Sequence, residues 1–305
     1  MAEKSKVLII GATGYIGKHI AKASVKAGHP TFMLTRESTS TNPDKSAILE
    51  ELKHLGVEVE IGDLKNKESL LKAVKKVDVV ISTVGGKSAA DQNDLIDAIK
   101  EAGNIKRFLP SEFGIDAERG VSVGPAQSIF NGKTEIRRKI EKEKIPHTYV
   151  VCNGFAGYFF PKLGQTDAAP REKITILGDG TKKAVFVTEE DIAAITIRTI
   201  DDPKTKDKAL IFRPPGNTMT FEEIVKLWES KIGKTLERTY EYDEQLLKKI
   251  EDSAGKNIMM TISYSTFVKG SATNFPLDPE FDVEASERYS DFKFTTIDEI
   301  LTKMV

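Results

Sequence analysis

Near the start of the chain, Gly11-Ala12-Thr13-Gly14-Tyr15-Ile16-Gly17 spaces three glycines so that a short apolar run passes directly into a helix. Glycines at this spacing let backbone N–H groups approach a bound anion, and the positive end of the following helix stabilises its charge. At the first strand-to-helix turn of a βαβ unit, that anion is the pyrophosphate of a dinucleotide. The next strand-like run ends at Leu34-Thr35 and is followed by Arg36. An acid there would take the ribose hydroxyls of NAD(H). A guanidinium instead forks onto a 2′-phosphate, and Lys45 adds a second positive charge, so NADPH is the expected cofactor. The alternative is that Arg36 and Lys45 are solvated cations and Glu37 meets the ribose. Gly62-Asp63-Leu64 and Ser82-Thr83-Val84-Gly85 end later strands, where the adenosine and nicotinamide halves would pass; ordinary turn chemistry explains them equally well.

For acid–base work, a Tyr-x-x-x-Lys pair is sought on the helix after the fifth strand, as in short-chain dehydrogenases. That helix carries Ile129-Phe130-Asn131-Gly132-Lys133, with the lysine and without the tyrosine. Tyr158 with Lys162 matches the spacing, but Pro161 interrupts any helix that would put both side chains on one face. Tyr289 with Lys293 lies far along the chain, and both matches read as chance. Lys133 remains the candidate base, provided that desolvation or a neighbouring cation lowers its pKa. Arg137, one turn on, would supply that field or hold a cofactor phosphate. The competing reading is that Thr134–Lys139 is simply a charged, solvated helix face.

These residues need a scaffold, and the hydrophobic periods describe one. Short β-branched runs predict strands at 6–10, 31–35, 57–61, 77–83, 106–109 and 148–152. Segments with apolar residues three and four apart predict helices at 15–27, 44–55, 69–74, 91–102 and 126–143. Val77-Asp78-Val79-Val80-Ile81-Ser82 is almost continuously apolar, as a sheet covered on both faces requires. The expected fold is α/β: a Rossmann-like doubly wound parallel sheet over residues 1–155, then a smaller C-terminal α/β substrate lobe over 156–305, with segments returning to the first sheet. Helices are expected in that lobe at 189–200 and 221–232.

Composition narrows the class. With 305 residues, 39% hydrophobic, 30% charged and a net charge of −1, the chain fits a globular protein and offers no basic field for nucleic acid or a membrane surface. Cys152 stands alone, which excludes an internal disulfide and paired-cysteine metal sites, so no metal is expected. The first apolar run is too short for a leader core or a membrane span, which makes the cytoplasm the expected location. Oligomeric state is left open, a homodimer included.

The chain resembles, over nearly its whole length, the plant isoflavone reductase-like group of NmrA-type atypical short-chain reductases, and within it the phenylcoumaran benzylic ether reductases. The resemblance rests on Val7–Gly17, Gly28–Thr31, Arg36–Thr39, Val77–Gly85, Ala98–Phe108, Pro110–Gly114, Asn153–Phe159 and Phe267–Gly270. It implies a phosphate loop at Gly11–Gly17, 2′-phosphate ligands at Arg36 and Lys45, and the catalytic lysine at Lys133, with Arg137 as a further cofactor contact. It also places Ser111-Glu112-Phe113 and Asn153-Gly154-Phe155 beside the nicotinamide, with Thr83 near the cofactor. Phe155 and Tyr158 are the expected substrate contacts. Relatives often have histidine where this chain has Tyr264, expected at the substrate, and a larger or different residue where it has Gly154.

The implied reaction is reduction of a phenylpropanoid-derived phenol, most specifically the benzylic ether of a phenylcoumaran. Neutral Lys133 takes a phenolic proton, the ether opens to a quinone methide, and NADPH delivers hydride. Isoflavones, pinoresinol-type lignans and phenylpropenyl esters are the alternative substrates. An NADP(H)-binding regulator without turnover is the alternative function.

Overall fold

The structure is a computed structural model that describes residues 4–85, 91–165, 168–253 and 257–305. Strands β1 (Val7–Ile10), β2 (Thr31–Thr35), β3 (Glu58–Ile61), β4 (Val79–Ser82) and β5 (Arg107–Leu109) form a parallel sheet in the order β3-β2-β1-β4-β5. Helices α1 (Tyr15–Lys26), α2 (Pro43–His54), α3 (Lys67–Val74) and α4 (Gln92–Ala102) make the crossovers. Strand alternation assigns the two faces. Val7, Ile9, Val79 and Ile81 join one core with Ile16 and Ile20 of α1, while Leu8, Ile10 and Val80 join a second core with Leu70, Leu95 and Ile99. All four residues of β1 are buried, as a strand covered on both faces must be.

Past β5 the parallel arrangement continues through a single bridge, Phe108 to His147, to β6 (Thr148–Val151). This strand pairs with β10 (Lys208–Ile211), which pairs in turn with β13 (Asp282–Glu284). Two late segments therefore extend the parallel arrangement of the N-terminal half. The cores are not divided near residue 155 either: Ile192 and Ile195 of α7 (Glu189–Thr199) share a core with Ile16 and Ile20.

Between these returns lie β7 (Gly154–Phe155), α6 (Ala156–Phe159), β8 (Lys173–Leu177), β9 (Lys183–Val187), β11 (Thr218–Thr220), α8 (Phe221–Ile232) and β12 (Glu237–Glu241). Strand β9 pairs parallel with β7 and antiparallel with β11, and β8 pairs parallel with β12. Their shared core is aromatic, with Phe159, Phe160, Phe186, Phe221, Trp228 and Phe267 buried together. Helices α5 (Pro125–Lys142), α9 (Asp243–Asp252) and α10 (Ile258–Phe267) pack in series, α10 against both α5 and α9, and α11 (Ala285–Arg288) and α12 (Ile297–Thr302) end the chain. Among the described residues, no helix is long and apolar enough to cross a membrane, and no cluster of His, Cys, Asp or Glu is arranged to hold a metal.

Candidate active site

A crevice of about 270 Å³ opens at the C-terminal ends of β1, β2, β3 and β4, lined by Gly11, Ala12, Thr13, Gly14, Arg36, Lys45, Asp63 and Thr83. Gly11 has φ +84°, and the Gly14 N–H donates to its carbonyl at 2.8 Å, which closes the turn tightly. A Cβ on Gly17 would stand 2.2 Å from the Gly11 carbonyl oxygen and 2.7 Å from Thr83 Oγ1, so no side chain fits there. Thr83 is held in place by donating to the Ile10 carbonyl at 2.9 Å. Helix α1 begins with no side-chain cap and no acid in its first turn, which leaves its positive end for an anion. The cradle thus fits a pyrophosphate. Arg36 is exposed, with Asp63 as a loose 4.0 Å partner, and faces the crevice together with Lys45. These are the cations a 2′-phosphate would meet.

Two members of the loop do other work. Ile16 packs into the core beneath α1. Tyr15 is not part of the crevice lining; its hydroxyl donates to Glu189 at 2.6 Å.

A second cavity, of about 460 Å³, is walled largely by carbon, including Phe113, Phe155, Tyr158 and Phe186, and Lys133 is the cation on its α5 side. Lys133 Nζ donates to the Glu112 backbone carbonyl. Burial lowers its pKa from the ordinary lysine value; the nearby Glu112 carboxylate opposes this and Arg137 adds a smaller push in the same direction as burial. A lysine disposed this way is a base that reaches its neutral form at lower pH than a solvated one. The cavity is shaped by two left-handed residues that are not glycine, Phe113 (φ 28°) and Asn153 (φ 59°). Asn153 is locked by its side-chain donation to the Phe212 carbonyl at 2.9 Å, and strain of this kind gathers at binding sites. Ser111 lies outside both linings and is tied to the crevice side, donating through Oγ to the Val84 carbonyl at 2.6 Å.

Several expectations need correction. Arg137 does not face the crevice. Its guanidinium is 3% exposed, forks onto Glu112 at 2.9 and 2.8 Å, with Asp116 at 3.4 Å, and is therefore turned to carboxylates away from the crevice lining. Nor is this stretch of α5 a uniformly solvated face: Ile136 and Arg137 are buried while Arg138 is exposed. Burial raises the Asp116 carboxyl, but Arg137 and Arg119 outweigh it and hold the group ionised below its usual range.

Tyr264 does not line the aromatic cavity, where the sequence placed it at the substrate. On α10 the cavity-facing stripe is Met259, Ile262, Ser263, Thr266 and Phe267, a helical repeat that leaves position 264 off the face. The Tyr264 hydroxyl donates to Asp243 at 2.6 Å instead. Tyr158 and Lys162 both line the cavity, yet α6 ends at Phe159, so their spacing does not make them a helical pair. The Tyr289 hydroxyl binds Asp202, remote from this site. Where Gly154 stands, a Cβ would lie 2.5 Å from Phe186 Cδ1, so the absent side chain makes room for that ring. Phe186 and the α10 residues Met259, Ile262, Ser263 and Thr266 are not singled out by the sequence, and Glu112 is expected beside the nicotinamide rather than as the partner of Arg137; only the apolar period of 259–267 could have flagged the stripe.

The sheet order, the glycine cradle and the two adjoining cavities define a Rossmann-type dinucleotide-binding protein with a lysine-bearing aromatic pocket. The NmrA-like family model matches residues 3–301. Phenylcoumaran benzylic ether reductase Pyrc5 of Pyrus communis is 56% identical over 308 residues, covering 100% of both chains. A crystal structure of isoflavone reductase superposes with a TM-score of 0.95 at 46% identity, covering 99% of this chain and 100% of that one. AtPrR2, solved with NADP+ and (+)-pinoresinol, has a TM-score of 0.94 at 38% identity, covering 100% of both. The chain belongs to the NmrA-like family.

Proposed function

We propose that this chain is an NADPH-dependent reductase of phenylpropanoid-derived phenols, with the benzylic ether of a phenylcoumaran as the substrate and Lys133 as the base. The observation that carries this is a desolvated lysine set against an aromatic-walled cavity beside a dinucleotide cradle with cations at the 2′-phosphate end. Gly11–Gly17 and the N-terminus of α1 hold the pyrophosphate, and Arg36 and Lys45 hold the 2′-phosphate. When bound, NADPH supplies the hydride that reduces the benzylic carbon. Lys133 accepts the para-phenolic proton at Nζ, while its bond to the Glu112 carbonyl keeps the amine in place as it becomes charged. Loss of that proton pushes the electron pair through the ring, and the benzylic C–O bond breaks to give a quinone methide and a phenolate that takes up a proton. Phe113, Phe155 and Tyr158 orient the rings and keep water out.

The test is NADPH oxidation with a panel comprising a phenylcoumaran, a furofuran lignan, an isoflavone and a phenylpropenyl ester. Fastest turnover of the phenylcoumaran is expected. Tight NADPH binding with no oxidation of any member would point to a regulator instead.

A further inference from the structure

Three side chains, Tyr15, Tyr158 and Glu189, connect the loop of the crevice to the wall of the cavity. Tyr15 is the first residue of α1, the helix that the glycine loop opens, and Tyr158 stands in the wall of the substrate cavity. Their rings stack with centroids 4.0 Å apart and planes 13° off parallel. Glu189, 6% exposed in the first turn of α7, accepts the Tyr15 hydroxyl at 2.6 Å and the Gly157 N–H at 3.1 Å on the same oxygen, Oε1. Burial and then Glu189 itself push the Tyr15 pKa well above its usual value, so the hydroxyl stays a donor.

Gly157 completes the arrangement by what it lacks. A Cβ there would fall 2.5 Å from Tyr15 Oη and 2.8 Å from Glu189 Oε1, although the backbone is not left-handed. The glycine is needed for space rather than for its φ. Helix α6, which carries Gly157 and Tyr158, has only four residues and cannot hold its own position, so tertiary ties such as these must place it.

Resting on the function proposed above, we propose that Glu189 is a positioning residue that ties the glycine-loop helix to the wall of the substrate cavity, so that NADP(H) and the phenol strengthen each other's binding. A pyrophosphate at the N-terminus of α1 steadies Tyr15. Through the Tyr15–Glu189–Gly157 bonds and the tyrosine stack, it steadies α6 as well. The phenol then meets a wall whose ordering cost is already met, and by linkage the effect is reciprocal.

The experiment measures the calorimetric Kd of a phenylcoumaran with and without saturating NADP+, which permits no turnover. In the wild type, NADP+ should tighten the phenol by about fivefold or more. Glu189→Ala should bring that ratio close to one, while its affinity for NADP+ alone changes by less than about twofold. Gly157→Ala, which leaves Glu189 intact and wedges the contact apart, should do the same and serves if Glu189→Ala fails to fold. Glu189→Gln keeps an acceptor oxygen and should restore most of the ratio.

Amide exchange over residues 154–160 gives a readout that needs no phenol: NADP+ should slow it in the wild type and not in Gly157→Ala. A wild-type ratio of one, or variants that keep both the ratio and the protection, would overturn the proposal. If the phenol binds in no state, the proposed substrate class fails, and the exchange experiment alone decides whether the tie exists.

Discussion

The cofactor crevice carries one exposed cation, Arg36, and one half-buried cation, Lys45, whereas the aromatic cavity holds Lys133 against carbon. Arg36 keeps a distant 4.0 Å partner and remains hydrated, a state suited to meeting a phosphate that arrives with its own charge. Lys133 is desolvated and its pKa lowered, which suits removal of a proton from a neutral phenol. One helical turn beyond Lys133, Arg137 shows a third outcome, a buried cation neutralised by Glu112 and Asp116 and committed to holding the 112–116 segment. Residue type alone does not separate these three roles; the surrounding dielectric and carboxylates do.

The strongest way to break this comparison is at Lys133. Lys133→Ala should lose on the order of 10²–10⁴ in the chemical step while NADPH binding largely survives, and Lys133→Arg should not rescue, because a guanidinium stays protonated. Single-turnover rates with pre-bound NADPH measure this. A near-normal Lys133→Arg enzyme would place the lysine among the hydrated cations.

Its titration sharpens the same point. The neutral amine is the active form, so the rate should be full above the lowered lysine pKa and fall about tenfold per pH unit below it. A pH–rate profile with no loss on the acid side down to the stability limit of the fold would contradict the role.

Arg137→Ala should cost about 3–5 kcal/mol of stability, the usual penalty for leaving a buried carboxylate unpaired. Urea unfolding measures it. At temperatures where the variant is folded its affinity for NADPH should be unchanged, which separates Arg137 from the crevice.

Arg36→Ala should weaken NADPH by roughly 1.5–3 kcal/mol and leave NADH nearly untouched, as loss of a charge-assisted bond predicts. Equal weakening of both cofactors, measured by titration, would end the 2′-phosphate assignment.

The smallest effect is expected at Tyr264→Phe. With its hydroxyl on Asp243 rather than in the cavity, the loss should be about 1 kcal/mol of stability with no change in the KM for the phenol. A KM raised tenfold would put position 264 back at the substrate.

What the chain encodes locally is legible in its consecutive residues. Strand β2 at 31–35 and helix α8 at 221–232 fall where their hydrophobic periods place them, and other ends shift by one or two residues where turns take over the tips. The glycine loop is readable because its residues are neighbours and their function is backbone geometry. Arg36 is readable because the end of β2 sets its position at the crevice.

The rest depends on where the chain returns. Glu112 and Arg137 meet across 25 residues, and nothing in either neighbourhood announces the pair. The positive φ at Phe113 runs against the preference of its residue type, so only surrounding contacts can impose it, whereas Asn153 is a type that tolerates the left-handed region and is fixed there by its bond to Phe212. Strands β10 and β13 join the nucleotide-binding half through parallel pairing with distant partners, and Tyr264 leaves the cavity through the rotational phase of α10. Propensity and period are local properties, set by neighbours in the chain. Which carboxylate meets which cation, and which helix face meets the ligand, follows from long-range packing, and that is decided only when the tertiary structure closes.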